Sequence, residues 1–267
     1  METIWLREAG WRVLHSLIDL YLDDPLTHCY LLYDILYEHD STRLLLGVEE
    51  GRVECYALSW SGDGVVGIIL WGCCGASLLP HVLRARPAGG RVTIQPRMVG
   101  EEAVRRALRA AGVGVWDEAV YVDMVVDEDG FTPRMRYGAV RLGPGQVDDY
   151  VSLVSGWNRV PRSWAEKLLS RHRFYGVYMD GRLVAVAGEY LRLPEVWVVG
   201  SVYVHPAYRG RGLGSAVASA VTRDAVSSGA TALLHVEEAN TPARRMYRGL
   251  GYREVSSTTW FRLGGGG

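Results

Sequence analysis

The sequence predicts an α+β chain of two domains, residues 1–130 and 137–267, and three observations carry that reading. At 267 residues with 48% hydrophobic content, the chain can fill two cores of ordinary size. Each half has helical periodicity early, then strand-like runs separated by tight turns, then alternating helix and strand. Between the halves, Asp127-Glu128-Asp129-Gly130 and Pro133 interrupt every periodic pattern, which sets the junction near residues 127–137.

In the first half, Leu14, Leu17, Ile18 and Tyr21 share one helical stripe, and a second helix is expected from Leu26 to Tyr37. Arg43–Val48, Val53–Trp60 and Val65–Trp71 read as strands of an antiparallel meander, because Glu-Glu-Gly-Arg and Ser-Gly-Asp-Gly separate them. A helix at Ser77–Leu83, a strand at Val92–Gln95, a helix at Gly100–Ala111 and a strand at Ala119–Val126 follow. The second half starts with a strand at Ala139–Leu142, and Val147, Tyr150, Val151 and Val154 then form one apolar stripe. Ser163 with Glu166 reads as a capping box for the next helix. Phe174–Met179 and Arg182–Leu191 are joined by the hairpin pair Asp180-Gly181, and Val196–Val204 makes a third strand. Leu213, Val217, Ala220, Val221 and Ala225 recur at helical spacing. A strand at Thr231–Val236, a helix at Pro242–Leu250 and a final strand or pair at Tyr252–Leu263 complete the chain.

Composition narrows the function classes. With 29 basic and 30 acidic residues, no net field attracts nucleic acid or an anionic membrane, so neither is an expected partner. Cys29, Cys55, Cys73 and Cys74 contain no CxxC pair and have no accompanying histidine cluster. Reduced, buried thiols are therefore expected, with no metal site and no disulfide framework. Glu2, Arg7 and Glu8 interrupt the N-terminal apolar residues, and no run approaches the roughly 20 needed for a membrane span, so a soluble cytoplasmic protein is expected. Oligomeric state leaves no mark in the sequence.

The most informative segment is Val202-Tyr203-Val204-His205-Pro206-Ala207-Tyr208-Arg209-Gly210-Arg211-Gly212-Leu213-Gly214-Ser215, a strand that enters a glycine-rich turn and then a helix. Glycines let successive backbone amides face an anion, Ser215 is placed to cap the helix, and the helix N-terminus contributes partial positive charge. A P-loop would need a lysine after the last glycine, and a dinucleotide fingerprint would need GxGxxG; glycines at 210, 212 and 214 satisfy neither. A tight turn that binds nothing is the plain alternative for the loop taken alone.

This segment resembles motif A of the GNAT superfamily of acyl-CoA N-acyltransferases, whose pattern is V-x-V followed by x-P-x-Y-R-G-x-G-x-G. Leu233 to Val236, Asn240, Ala243, Tyr247 and Gly251-Tyr252 match the family's next motif, so the resemblance spans roughly residues 137–263. It implies a GNAT fold in the C-terminal half, with a mixed, mostly antiparallel sheet flanked by helices. The arrangement with an α+β domain ahead of it is similar to the glycine N-acyltransferase branch, as is His235-Val236, and the N-terminal half fits a degenerate GNAT-like domain. Gly62-Asp63-Gly64 and Pro87-Ala88-Gly89-Gly90 are the places to look for its glycine loop, and neither is followed by a helix start.

The resemblance also implies acetyl-CoA, or another short acyl-CoA, as the cofactor. The backbone at Val202, Tyr203 and Val204 would pair with the pantetheine arm, and the Val202 amide would face the thioester oxygen. Amides of Arg209, Gly210, Arg211, Gly212, Leu213, Gly214 and Ser215 would hold the pyrophosphate, with Asn240 and Ala243 lining the opposite side. Tyr247 matches the general acid that protonates the departing thiolate. The usual glutamate base position holds Val198 instead. Glu189 is the first candidate to replace it, ahead of Glu195, His205, Glu237 and Glu238, and a water chain is the alternative. The expected acceptor is a small-molecule or protein amine, in a cleft for which Trp157, Trp164, Tyr190 and Trp197 are lining candidates. The reading from another class is a CoA-binding regulatory or scaffolding module without catalysis.

Overall fold

The computed structural model describes residues 1–62, 64–86, 90–157 and 159–264, and the chain divides into two compact units. Asp63 and Pro87-Ala88-Gly89, named above as places for a first-half loop, lie outside the described residues.

The first unit comprises Met1–Tyr121 and Ser257–Gly267. Strand β1 (Glu2–Trp5) precedes helices α1 (Trp11–Asp23) and α2 (Pro25–Tyr37). Then come β2 (Thr42–Glu49), β3 (Arg52–Gly62), β4 (Val65–Trp71), α3 (Gly75–Ala85), β5 (Arg91–Arg97), α4 (Glu101–Ala110) and β6 (Val115–Val126). Pro25 opens α2 because its missing N–H has no helical partner to lose, and Asp24 caps that end by accepting the Thr27 N–H at 3.1 Å. Turn chemistry sets the β2–β3 hairpin: Glu50 and Gly51 both take positive φ, 51° and 82°, matching the right-handed twist of the flanking strands. Leu78, Leu79, Val82 and Leu83 of α3 pack on Leu45, Ile68 and Ile94. A second cluster packs Val13, Leu17 and Leu31 of α1 and α2 on Leu44, Leu46 and Leu58.

The second unit is Val122–Ser256. It holds the end of β6, then β7 (Val140–Leu142), α5 (Val147–Val154), α6 (Arg162–Arg171), β8 (Phe174–Met179), β9 (Arg182–Arg192), β10 (Val196–Val204), α7 (Leu213–Ser227), β11 (Thr231–Glu237), α8 (Thr241–Arg248) and the start of β12 (Arg253–Leu263), whose later residues belong to the first unit. The stripe expected on α7 is buried, and its alanines let the helix approach the sheet closely over Val122, Met124, Trp197, Val199 and Leu234. Val147, Tyr150 and Val154 of α5 with Ala165 and Leu169 of α6 form another cluster with Leu142, Phe174, Leu183 and Val186.

Both units repeat one topology. In the first the strand order is β1-β2-β3-β4-β5-β12, and in the second β7-β8-β9-β10-β11-β6. Each has three successive antiparallel pairs. A helix crossover then leads to a parallel pair, β4–β5 through α3 and β10–β11 through α7. The sixth strand of each comes from elsewhere in the chain. Phe261↔Ile94, Arg262↔Thr93 and Leu263↔Val92 zip the end of β12 onto β5, and Phe261 is fully buried there. This pairing assigns residues from Ser257 onward to the first unit, whereas the sequence boundaries ran 137–267; likewise the division falls inside β6 rather than in the turn at 127–137.

Several local expectations shift. Cys55 and Cys74 are joined in a disulfide and Cys73 is exposed, so only Cys29 fits the reduced, buried reading. A separation of 19 residues without a motif hides the pair, and the β3–β4 ladder brings its two sites together. Helix α6 starts one residue before Ser163, and Glu166 pairs with Arg162 at 2.8 Å instead of closing a capping box. Strand β1 has no expected counterpart: it is only four residues long and half-exposed.

Candidate active site

The site is built where β10 separates from β11. Their parallel ladder runs from Val196↔Thr231 to Val198↔Leu233, so the β11-facing backbone edge of Val199–Val204 lies beyond it. The β4–β5 ladder of the first unit instead extends over seven pairs, from Val65↔Arg91 to Trp71↔Arg97. Its counterpart loop, Gly72-Cys73-Cys74-Gly75, is tied to β3 by the disulfide, and a Cβ on Gly72 would run into the Glu54 carbonyl. Among the described residues, the open strand edge beside an untethered glycine loop therefore lies in the second unit.

Two bulges shape β10 on its other edge. Leu191 pairs with Val198 and Glu189 with Val199, so Tyr190 is an extra residue on β9. Next, Gly188 pairs with Gly200 but Val186 with Tyr203, which leaves Ser201 and Val202 opposite the single residue Ala187. Ser201 takes φ 52°, rare for a residue with a side chain, and this turns the strand just before Val202. The Tyr190 ring lies on Gly200, in space that any Cβ there would occupy.

The loop has the geometry of an anion cradle. Gly210 and Gly212 take φ 75° and 85°, and a Cβ at either would meet nothing within 4 Å, so it is the left-handed backbone and not packing that calls for glycine there. Gly212 is the N-cap of α7, and the helical ladder begins with Ala216 N–H to Gly212 O at 3.1 Å; the amides of Leu213, Gly214 and Ser215 therefore sit in the first turn with no intrahelical acceptor. Ser215 is inside the helix, not its cap, because α7 starts at Leu213. Gly214 meets a packing demand, since a Cβ would lie 3.2 Å from the Met246 sulfur. Arg209 Nε donates to Val204 O at 3.2 Å, and Arg211 donates to Ala207 O at 3.4 Å while lying over the Tyr208 ring, so both guanidiniums are held beside the loop. These features fit a pyrophosphate: open amides, a 15-residue helix dipole and two flanking cations.

Asn240 caps α8 by accepting the Ala243 N–H at 3.2 Å, so both residues set where Tyr247 stands. Tyr247 is 7% exposed and packs in the α7 cluster, edge to face with Tyr252 at 5.6 Å. Burial, with a smaller contribution from neighbouring Tyr190, raises its pKa well above the usual phenol value and keeps the proton on. Tyr252 is anchored in turn by a 2.7 Å bond to Thr222 of α7.

Other sequence candidates lie differently. Glu189 is 1% exposed, and its carboxylate is already engaged by the Arg173 N–H at 3.1 Å, His172 at 3.1 Å and Arg192 at 3.9 Å. These partners fix the end of β9 and leave a base role little room. The Tyr203 side chain is core and stacks on Trp157 at 5.4 Å, so at this position the backbone is what remains for a ligand. Trp164 and Trp197 pack in the two cores, with Arg173 and Arg192 over the Trp197 ring. His205 accepts the Ala207 N–H, and the Glu238 carbonyl accepts from Arg244. Periodicity gave no hint of a buried chain in which Ser256 donates to Asp123 at 2.7 Å and Asp123 meets His235 Nδ1 at 2.6 Å. Among the described residues, no group of three or more His, Cys, Asp or Glu is placed to hold a metal, and no helix is long and apolar enough to cross a membrane.

Residues 174–261 match the family model described as FR47-like protein, and no curated protein matches the chain. Among solved structures, a GNAT-family protein from Novosphingobium aromaticivorans is 25% identical with a TM-score of 0.57, over 74% of this chain and 84% of its own. A tandem GNAT protein from the clavulanic acid biosynthesis pathway aligns over 100% of this chain and 99% of its own at 14% identity and TM-score 0.62. A GCN5-related N-acetyltransferase from Sphaerobacter thermophilus covers 97% and 95% at 15% identity and TM-score 0.62. The last two are likenesses of fold. Motif, family model and fold agree in direction: residues 174–261 match the FR47-like family, and the chain as a whole is similar to proteins of the GNAT superfamily.

Proposed function

We propose that the second unit transfers an acetyl or other short acyl group from acyl-CoA to a primary amine by direct attack of the neutral amine on the thioester. The carrying observation is the open edge of β10 running into a loop with left-handed Gly210 and Gly212, at each of which an added Cβ meets nothing within 4 Å, followed by the unpaired first-turn amides of α7. Amides of residues 209–215 would take the pyrophosphate, with Arg209 and Arg211 adding charge. The Val199–Val204 backbone would pair with the pantetheine arm, and the Val202 N–H would stabilise the oxyanion. Bound there, acyl-CoA supplies an activated carbonyl and a good leaving group. Tyr247 holds its proton at neutral pH and would release it as thiolate charge develops. Holding amine and thioester in line is expected to supply much of the acceleration.

The test is CoA release with a panel of amines and amino acids, for the wild type, Tyr247→Phe and Gly212→Glu. Tyr247→Phe should bind CoA normally and turn over about 10²-fold or more slower. Gly212→Glu places a bulky anion at a left-handed position beside the pyrophosphate site and should abolish CoA binding. Tight CoA binding without turnover on any amine would leave the non-catalytic module as the better reading. Unchanged CoA affinity in Gly212→Glu would remove the cofactor assignment itself.

A further inference from the structure

We propose that the outer face of α1 is a self-association surface, on which a second copy of this chain lays its own α1 antiparallel. The helix has two apolar faces, and its own domain uses one. Val13, Leu17 and Tyr21 form the buried face. On the opposite side Trp11, Ile18 and Leu22 are 73%, 43% and 64% exposed, and exposed His15 lies in line with them. Positions 11, 15, 18 and 22 advance by four, three and four residues, so they form one stripe along a helix of 13 residues. That spacing is the seam of a two-helix coiled coil. The Trp11 ring meets the His15 ring edge to face at 6.2 Å, which holds the indole along the stripe. Water around such a row is released only when another surface covers it.

Charge identifies the occupant. Arg12, Asp19 and Asp23 are all exposed, and at roughly 100° per residue they lie about 80° to 120° round the helix from Trp11, on one flank of the stripe. The cation stands at the start of that flank and the two acids at its end. A two-fold axis across the stripe brings each flank onto its own copy. Setting Trp11 against the second copy's Leu22, and His15 against its Ile18, fills the seam. The same register puts Arg12 level with the midpoint between the second copy's Asp19 and Asp23, and symmetry repeats the contact at the other end. Both sides are braced for it: His15 Nδ1 lies 3.1 Å from Asp19 Oδ2, and a Cβ on Gly51 of the β2–β3 turn would lie 3.5 Å from the Arg12 Cβ. A parallel pair would instead set the charged flank against the side of Leu14 and buried Tyr21, where no complement exists. The acidic end also opposes an anionic lipid surface. Three apolar side chains from each copy, with the charged flanks, bury about 1,000 Å² in all, the lower end for a specific contact, so the dimer belongs in the micromolar range.

The experiment is sedimentation equilibrium of the full chain from about 1 µM to about 200 µM, for the wild type, Trp11→Ser, Arg12→Glu and Asp19→Arg/Asp23→Arg, with thermal melting of each at the dilute end. The replaced side chains are exposed, so melting should barely move. The wild type should pass from monomer to dimer within that range, and each variant alone should associate about tenfold or more weakly. An equal mixture of Arg12→Glu with Asp19→Arg/Asp23→Arg should form a heterodimer within about threefold of the wild-type affinity, because every reversed charge then meets its complement. A wild type that stays monomeric at the highest concentration overturns the proposal, whether or not it binds lipid vesicles. A dimer that Trp11→Ser or the charge reversals leave intact overturns it too, since another surface would then hold the copies together. Charge variants that stay monomeric when mixed would show that the flanks do not face each other, and the antiparallel pair would fall.

Discussion

Replacing Asp34 by asparagine should stabilise the protein above neutral pH and leave it unchanged in acid. Asp34 lies in α2 at 7% exposure, and burial, reinforced by repulsion from Glu38, raises its pKa from 3.8 to about 7. A carboxyl whose folded pKa exceeds its unfolded one contributes stability that is fully present below about 3.8 and is lost as pH rises through about 7. The displacement corresponds to about 4 kcal/mol, so Asp34→Asn should gain nothing below pH 4 and approach that margin above pH 7. His28, also in α2 and 2% exposed, works in the opposite sense. Burial lowers its pKa from 6.5 to about 4 against the opposing charge of Asp24, so its contribution is present above 6.5 and is lost as pH falls through about 4. Between pH 4 and 6.5 the two slopes oppose each other in the wild type, whereas the variant should gain about 3 kcal/mol across that window from His28 alone. Urea denaturation of both proteins at half-unit pH steps gives the difference curve, in which every other titration cancels. A difference that stays flat from pH 4 to 8 would refute the reasoning, because it would mean Asp34 titrates alike in folded and unfolded chains.

Two further outcomes follow from packing. Serine at both Cys55 and Cys74 removes a cross-link spanning 19 residues and should lower first-unit stability by about 3 kcal/mol without touching CoA affinity; a wild type whose urea midpoint ignores reductant would contradict this. Gly200→Ala should push the Tyr190 ring off β10 and lower the melting temperature, yet add little in a Tyr190→Ala background, since the three atoms nearest the new methyl all belong to that ring. Additive losses in that cycle would show that Gly200 serves another purpose.

Local chemistry explains what could be read early. The α7 stripe, the Asp180-Gly181 hairpin with φ 50° and 73°, and the left-handed Gly210 and Gly212 each depend on residues a few positions apart. The glycine loop was legible for that reason, since its shape needs only consecutive amides and glycines that let them turn. Glu189 was the candidate base as a glutamate on the strand before β10, and its partners His172 and Arg173, which come from the segment between α6 and β8, could not be read from that position. The Cys55–Cys74 bond and the Ser256–Asp123–His235 chain join residues 19 to 133 positions apart, and no periodicity records such distances.

By itself, then, the sequence determined most of the elements, the family resemblance and the glycine loop, because propensity, turn chemistry and helix-start electrostatics act within one or two turns of chain. Tertiary structure alone decided which strand closes each sheet, where the β10–β11 ladder stops, and which buried polar groups pair with one another, Asp123 with His235 among them. Those outcomes depend on which of many possible partners saturates each strand edge and each buried polar group, and that competition is settled only when the whole sheet has formed.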